Sequence, residues 1–300
     1  GHYRLAQGRG GVMEATEALA REPFIVVAEL QGAASGARIH AAAAIDKADV
    51  EAMFADRIAT ETEARFDEVT GAIRARRTRR LDRLVLGEEI IAKPDANLMR
   101  EALIEAVGGR GIDRLPWSKA QAALRERVEF ARRSAPNLFP DLSDIALAGT
   151  VRDWLGPFLD GKASLASIGA DDLGQALDLL VPFDQRRALD QFAPAGFTAP
   201  TGSTVTIDYA AEAGPSISIR VQELYGLSSH PTVAGGTIPL VLELLSPAHR
   251  PIQVTRDLPG FWRGSWADVK KDMRGRYPKH VWPDDPASAA PTTRAKPRGT

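Results

Sequence analysis

The sequence predicts an α+β fold: an OB-like β-barrel at the N-terminus, a mainly helical middle, then an antiparallel β-sheet with a short C-terminal helix and a basic tail. Three observations predict it. Apolar residues come in short, β-branched or alternating runs over the first ninety or so positions. They recur at helical spacing from about Asp95 to Phe192. After Pro200 the period returns to two.

Taken in order, a first strand is expected near Tyr3 to Ala6, and Pro23 to Gly32 (PFIVVAELQG) reads as an apolar strand ending at a turn. The run GARIHAAAAI (36–45) alternates loosely. Asp46 can cap a helix over KADVEAMFADRI, with Val50, Met53, Phe54 and Ile58 as its apolar stripe. Extended segments resume around a Val69-Thr70-Gly71 turn. The order β-β-β-α-β-β is that of the OB-fold, a partly open barrel that often binds oligonucleotides, and it sets the first domain at 1–95.

Residues 96–199 form the mainly helical part. Ser118 and Gln121 make a Ser-x-x-Gln capping box in front of Leu124, Val128 and Ala131. The run SLASIGADDLGQALDLL sets Leu165, Ile168, Leu173, Ala176, Leu177 and Leu180 on one side of a helix. Shorter helices are expected over 96–107 and 143–159. Residues 200–286 form the antiparallel β part, from STVTIDYA, SISIRVQ and two strands joined at Ser246-Pro247-Ala248. Residues 287–300, rich in Pro, Ala and Thr, read as a disordered basic tail.

With 300 residues, 44% of them hydrophobic, the chain can bury a sizeable core. Net charge is −1, yet it is unevenly placed: from His249 onward there are eleven Lys/Arg against five Asp/Glu. An acidic body with a basic end suits an anionic partner. The absence of cysteine excludes disulfide scaffolds, thiolate zinc sites and cysteine nucleophiles. No run approaches the length of a membrane span, so no membrane partner is expected. The chain opens Gly1-His2-Tyr3, without Met or a leader; it reads as an excised cytoplasmic fragment with Gly1-His2 as a possible cloning scar.

Catalytic motifs fail on inspection. Gly156–Ala163 (GPFLDGKA) fits G-x-x-x-x-G-K, but Ala163 replaces the magnesium-holding Ser or Thr, Pro157 stands inside the loop, and a helical run precedes it where a strand is needed. The Asp-Glu pair in FDEVTG (66–71) lacks a preceding apolar strand, and QGRGG (7–11) reads as a mobile turn. The five histidines, 2, 40, 230, 249 and 280, lack metal-ligand spacing; His280 with Asp284 and Asp285 comes nearest. Catalytic and metal sites are therefore expected to be absent.

Two basic features remain. Arg74, Arg76, Arg77, Arg79, Arg80 and Arg83 crowd one strand, and alternation would put Arg74, Arg76 and Arg80 on one face and the others opposite. That much charge is either neutralised by acids such as Glu61, Glu63 and Glu68 or tracks a phosphate backbone; the sequence leaves both open. Near the C-terminus, Ser265 and Asp268 suggest a box capping a helix that ends at Gly275. Arg263, Lys270, Lys271, Arg274, Arg276 and Lys279 are candidates for phosphate contact. Interleaved with them, Phe261, Trp262, Trp266, Tyr277 and Trp282 could stack bases. The favoured reading of the tryptophans is a clasp that pins the segment to a sheet.

The stretch Ser246 to Arg298, SPAHRPIQVTRDLPGFWRGSWADVKKDMRGRYPKHVWPDDPASAAPTTRAKPR, closely resembles the C-terminal end of the HrpB-type bacterial ATP-dependent RNA helicases, in the DEAH/RHA branch of superfamily 2. RLAQGRGG, EPFIVVAEL, RLDRLVLGEE and PTGSTVTIDYA look similar as well. The resemblance implies a region lying after a RecA-like motor, with ATP and magnesium bound in that motor and no cofactor here. It implies an OB-like domain lining an RNA channel, followed by an extension peculiar to the family. RNA or another single strand, and the motor itself, are the partners it implies. The region alone is expected to be inactive. The alternative is a structural or partner-docking module that never touches nucleic acid.

Overall fold

The computed structural model describes residues 1–32 and 36–294. These fold as α+β and divide into two compact units, Gly1–Gly109 with Leu159–Ile168, and Arg110–Phe158 with Gly169 onward. Residues 295–300, the end of the expected tail, lie outside the described residues.

In the first unit β1 (His2–Arg4) and β2 (Gly10–Val12) form a hairpin, followed by β3 (Ile25–Gln31) and β4 (Ala37–Ala44). These four make one sheet in the order β1-β2-β4-β3. The QGRGG stretch, read as a mobile turn, is the connection of that hairpin. Gly8 adopts φ 89° there, and a Cβ on it would lie 2.6 Å from the Arg83 side chain, so the position requires glycine.

Helix α1 (Lys47–Met53) comes next, then β5 (Ile58–Asp67), β6 (Ala72–Leu81) and β7 (Leu84–Ile90). The last three form a separate antiparallel sheet. Only Val50 of the expected α1 stripe is buried; Met53 points to solvent and Ile58 opens β5. Val50, Leu81 and Leu86 form a small core, with Phe24, Phe54 and Leu84 packed against it. Among the described residues no ladder joins the two sheets, so the seven strands do not close a barrel. An open cavity of about 370 Å3, lined by residues of both sheets including Val27, Leu30, Leu81 and Leu84 together with Arg4, Gln7 and Arg57, lies in this unit. Helix α2 (Ala96–Arg110) follows. The returning segment 159–168 joins the unit where Ala163 accepts the Ile73 N–H at 2.7 Å.

The second unit is built on helices α3 (Lys119–Ser134), α4 (Asp144–Gly149), α5 (Val151–Trp154), α6 (Ala170–Leu180) and α7 (Phe183–Phe192). The Ser118 box forms: Ser118 Oγ accepts from the Gln121 N–H, and Gln121 Oε1 accepts from the Ser118 N–H at 2.9 Å. Ser118→Ala should therefore lower stability by about 1 kcal/mol. A drop of roughly 2–4 °C in melting temperature checks it. The run expected as one helix from Ser164 breaks at Gly169, whose N–H donates to Asp172 and restarts the chain as α6. Leu173, Ala176 and Leu177 are buried as the stripe requires.

Strands β8 (Gly196–Thr198) and β9 (Thr204–Thr206) form a hairpin, as do β11 (Thr232–Val233) and β12 (Ile238–Pro239). The main sheet of this unit combines β10 (Ser216–Arg220), β13 (Val241–Leu245) and β14 (Pro251–Thr255). It corrects the expected antiparallel sheet: β13–β14 is antiparallel, but β10 runs parallel to β13. The connection from Val221 to Leu240 is long enough to carry the chain back to its starting edge, which a parallel neighbour requires. Val241, Leu242, Leu244 and Leu245 are all buried, the near-continuous apolar run of a strand covered on both faces.

Helix α8 (Leu258–Arg263) and helix α9 (Trp266–Arg276) close the unit. Asp257 Oδ1 accepts the Gly260 N–H at 2.8 Å and starts α8, with Pro259 in its first turn. The expected Ser265–Asp268 box does not form, because Ser265 itself has helical φ and ψ. Just before the expected tail Pro286 accepts the Gly226 N–H, and within it the Thr292 N–H donates to the Gln222 carbonyl.

Candidate nucleic-acid interface

Ten-residue strand β6 presents the first set of arginines. Its buried residues are Ile73, Ala75, Thr78 and Leu81, so the buried side changes along the twisted strand and strict alternation fails. Arg76 and Arg77 are both exposed as a result. Arg83 lies beyond β6, in the turn before β7.

Carboxylates stand beside five of the six arginines. Arg74 Nε reaches Asp67 at 2.9 Å, and Arg79 reaches Glu51 at 2.8 Å. Arg76–Glu88, Arg77–Glu89 and Arg80–Glu61 are looser, at 3.7, 3.6 and 3.6 Å. Of the three acids named from sequence, Glu61 takes this role; Glu63 pairs with Arg65 instead. Such surface pairs contribute about 0–1 kcal/mol each, so an anion of higher charge density can displace them. Asp67 also accepts the Val69 and Thr70 N–H groups of the turn. The Thr70 bond is the chief reason its carboxyl lies below the usual range, ahead of the opposing effect of desolvation.

In the second unit the aromatic residues are packed inward. Phe261, Trp262, Trp266 and Trp282 are buried beside Tyr225. Trp266 sits at the centre, with ring centroids 5.4 Å from Trp262, 5.7 Å from Tyr225 and 6.0 Å from Trp282. All three indole N–H groups donate to backbone carbonyls, of Leu227, Pro283 and Tyr277. Tyr277 is half-buried, its hydroxyl 3.4 Å from Ser246 Oγ. No face of these tryptophans is offered to a base.

The cations of the same segment point the other way. Lys270 pairs with Asp284 at 2.5 Å, which draws the Asp284 carboxyl below its usual range, and Arg276 pairs with Asp272 at 3.0 Å. Arg263, Lys271, Arg274 and Lys279 are exposed and, among the described residues, have no carboxylate within 4 Å.

Sequence reasoning missed two polar groups here. His230 accepts the Leu258 N–H on Nδ1 and faces the Leu240 carbonyl at 2.7 Å with Nε2, tying α8 to the start of β13. Glu223 is buried against Ser203, Thr201 and Arg220. Nothing in either local sequence marks these contacts, since all their partners are distant except Arg220.

The P-loop-like stretch is a helix end, as its sequence context implied. Gly156–Phe158 is a 3-10 turn following α5, and Lys162 Nζ donates to the Ser167 carbonyl. Among the described residues no group of three or more His, Asp or Glu could hold a metal. Nor is any helix there long and apolar enough to cross a membrane.

Residues 154–286 match the family described as ATP-dependent helicase C-terminal. Over 299 residues the chain is 38% identical to the ATP-dependent RNA helicase HrpB of Escherichia coli (strain K12), covering 99% of this chain. It spans only 37% of that curated relative's length. A crystal structure of the E. coli DExH-box NTPase HrpB superposes with TM-score 0.67 at 37% identity, over 98% of this chain and 37% of that one. A crystal structure of the Escherichia coli DEAH/RHA helicase HrpB gives 0.59 at 31% identity, over 94% of this chain and 36% of that one. Sequence and fold thus define an accessory region of the DEAH/RHA helicase class. Within that class, the chain corresponds to the C-terminal region of the HrpB-type ATP-dependent RNA helicases.

Proposed function

We propose that this region holds single-stranded RNA for an attached helicase motor and is itself non-catalytic. ATP and magnesium belong to the motor in this reading. The observation that carries it is the division of labour in α8–α9. Buried tryptophans fix the segment, and Arg263, Lys271, Arg274 and Lys279 are left exposed with, among the described residues, no carboxylate within 4 Å. Arg76, Arg77 and Arg80 of β6 would add contacts, since their acid partners, 3.6–3.7 Å away, are loose enough to exchange for phosphate.

An OB-like identity for residues 1–95 supports the same reading. Four strands, a helix and three strands follow the expected order with one strand added on each side of the helix, and an open cavity is lined by both sheets, as a partly open barrel would have. The second reading, partner docking, draws on a different observation: five of the six arginines already stand beside acids, and Phe183 and Leu179 are exposed.

Fluorescence anisotropy with oligouridylate RNA at several salt concentrations decides between them. A slope of log affinity against log salt of about −2 to −3, from three to four phosphate contacts, is the expected result. Charge reversal of Lys271 and Arg274 should weaken binding about tenfold or more and flatten that slope. Absence of binding even at low salt would overturn the RNA reading and leave the docking module.

A further inference from the structure

We propose that a concavity on the β5–β6 hairpin, walled by Arg65, Arg74 and Arg76, is an oxyanion pocket that seats one backbone phosphate of a single strand. The inference deepens the RNA-binding reading and rests on it. It adds Arg65, which composition and spacing did not single out, and it assigns a defined seat rather than a diffuse basic surface.

The register creates the pocket. Arg65 stands directly opposite Arg74, and Glu63 opposite Arg76, so their side chains share one face of the hairpin. Glu63, Arg65, Asp67, Arg74 and Arg76 line a concavity of about 240 Å3. Like charges placed opposite each other on an antiparallel pair repel. Three acids stand by the three guanidinium groups, Asp67 and Glu63 closely and Glu88 loosely. Asp67 accepts from Val69 and Thr70 on Oδ1, and its Oδ2 meets Nε of Arg74 at 2.9 Å. Glu63 is engaged along its own strand by Arg65.

Among the described residues the Arg76 side chain is held only by a loose ion pair, its Nη1 lying 3.7 Å from Glu88. That pairing is loose, and all three side chains are 40% exposed or more, so a ligand can enter and compete for the guanidinium groups. Two planar forks and a third cation converging on one small space suit a single phosphate group, whose oxygens accept from several guanidiniums at once. A run of peptide carboxylates would need the cations spread along a groove, which is why phosphate is favoured over an acidic protein segment.

The test uses the whole chain. Oligouridylate affinity is measured by anisotropy for the wild type, Arg65→Ala/Arg76→Ala and Arg65→Lys/Arg76→Lys. In parallel, the arginine Nε–H signals are followed by NMR during titration with inorganic phosphate. The alanine pair should bind about tenfold more weakly and lower the salt slope by about 1.4, two contacts at roughly 0.7 each. The lysine pair keeps the charge but loses the fork, so it should regain the slope and only part of the affinity. Phosphate should shift the Arg65, Arg74 and Arg76 signals saturably.

Unchanged RNA affinity in the alanine pair, with an unchanged melting temperature, would overturn the pocket and leave RNA binding to α8–α9. Saturable shifts in a wild type that binds no RNA would overturn the RNA reading instead and keep an oxyanion site. Displacement of phosphate by polyglutamate at equal charge concentration would overturn the preference for phosphate in favour of an acidic partner.

Discussion

Replacing Trp266 with alanine is expected to destabilise the second unit by about 3–5 kcal/mol, the range for deleting a buried aromatic side chain. Three features place it in the upper part of that range. The indole is 2% exposed, it meets Trp262, Tyr225, Phe261 and Trp282 at centroid distances of 5.4–6.1 Å, and its N–H donates to the Pro283 carbonyl. Removal leaves a cavity into which Trp262, Trp282 and Tyr225 cannot collapse without breaking their own hydrogen bonds to backbone carbonyls. It also frees the Pro283 carbonyl, which ties the residues after α9 back to that helix. At roughly 2–4 °C per kcal/mol for a unit of this size, the melting temperature should fall by about 6–20 °C. Trp266→Phe keeps most of the apolar contact and should lose about half as much. A soluble quencher should scarcely reach Trp262, Trp266 and Trp282 in the wild type. A shift below 2 °C, or strong quenching of these residues, would refute the packed arrangement.

That cluster also illustrates what a sequence discloses. The aromatics, the prolines and the separation of α9 from the strands were legible because low-frequency residues and the change of period are local signals. Both strands of the β13–β14 hairpin and the Ser118 box were legible for the same reason. The parallel pairing of β10 with β13 was not, since direction within a sheet depends on where a long connection returns the chain. Nor was α8: LPGFWR carries proline and glycine, and only the Asp257 side chain accepting from Gly260 starts it. In the arginine strand the residues were visible, but their faces were not, because twist moved the buried side between Ala75 and Thr78. Arg65 escaped notice since a lone arginine among acids has no pattern; only the register, setting it against Arg74, gives it one. The Glu223 group lies furthest from legibility, because its four side chains come from the β8–β9 turn and the end of β10.

Glu223 is the other position where a large effect is expected. Its carboxylate is 7% exposed, accepts from Ser203 Oγ at 2.5 Å, and holds Arg220 Nε at 2.8 Å. Arg220 in turn reaches the Thr293 carbonyl, so this one carboxylate orients the β8–β9 turn, the end of β10 and the chain at Thr293. Glu223→Ala leaves a mostly buried guanidinium and two hydroxyls without their acceptor, and should cost about 2–4 kcal/mol, short of a fully buried pair because Arg220 keeps some contact with water. Glu223→Gln retains an acceptor and should cost less.

The pH dependence separates charge from shape. Burial pushes the Glu223 carboxyl up, and the bonds from Ser203, Arg220 and Thr201 outweigh it, so the folded group titrates below its ordinary value of 4.5. As pH falls, the unfolded chain takes up this proton first. The stabilisation is therefore complete above about pH 4.5 and is lost as pH falls through the folded value. The nearby His280 acts in a higher window with the same sign. Burial, and then the Arg220 charge, hold its ring below the ordinary 6.5, and its buried Nδ1 has no partner. Protonation thus favours the unfolded chain as soon as pH drops below about 6.5. Melting curves from pH 7.5 to 3.5 should show a shallow decline beginning near 6.5 that His280→Gln removes, then a steeper one below 4.5 that Glu223→Gln reduces. A Glu223→Gln variant that keeps the full acid slope would show that this carboxylate is not held as a charge by Arg220.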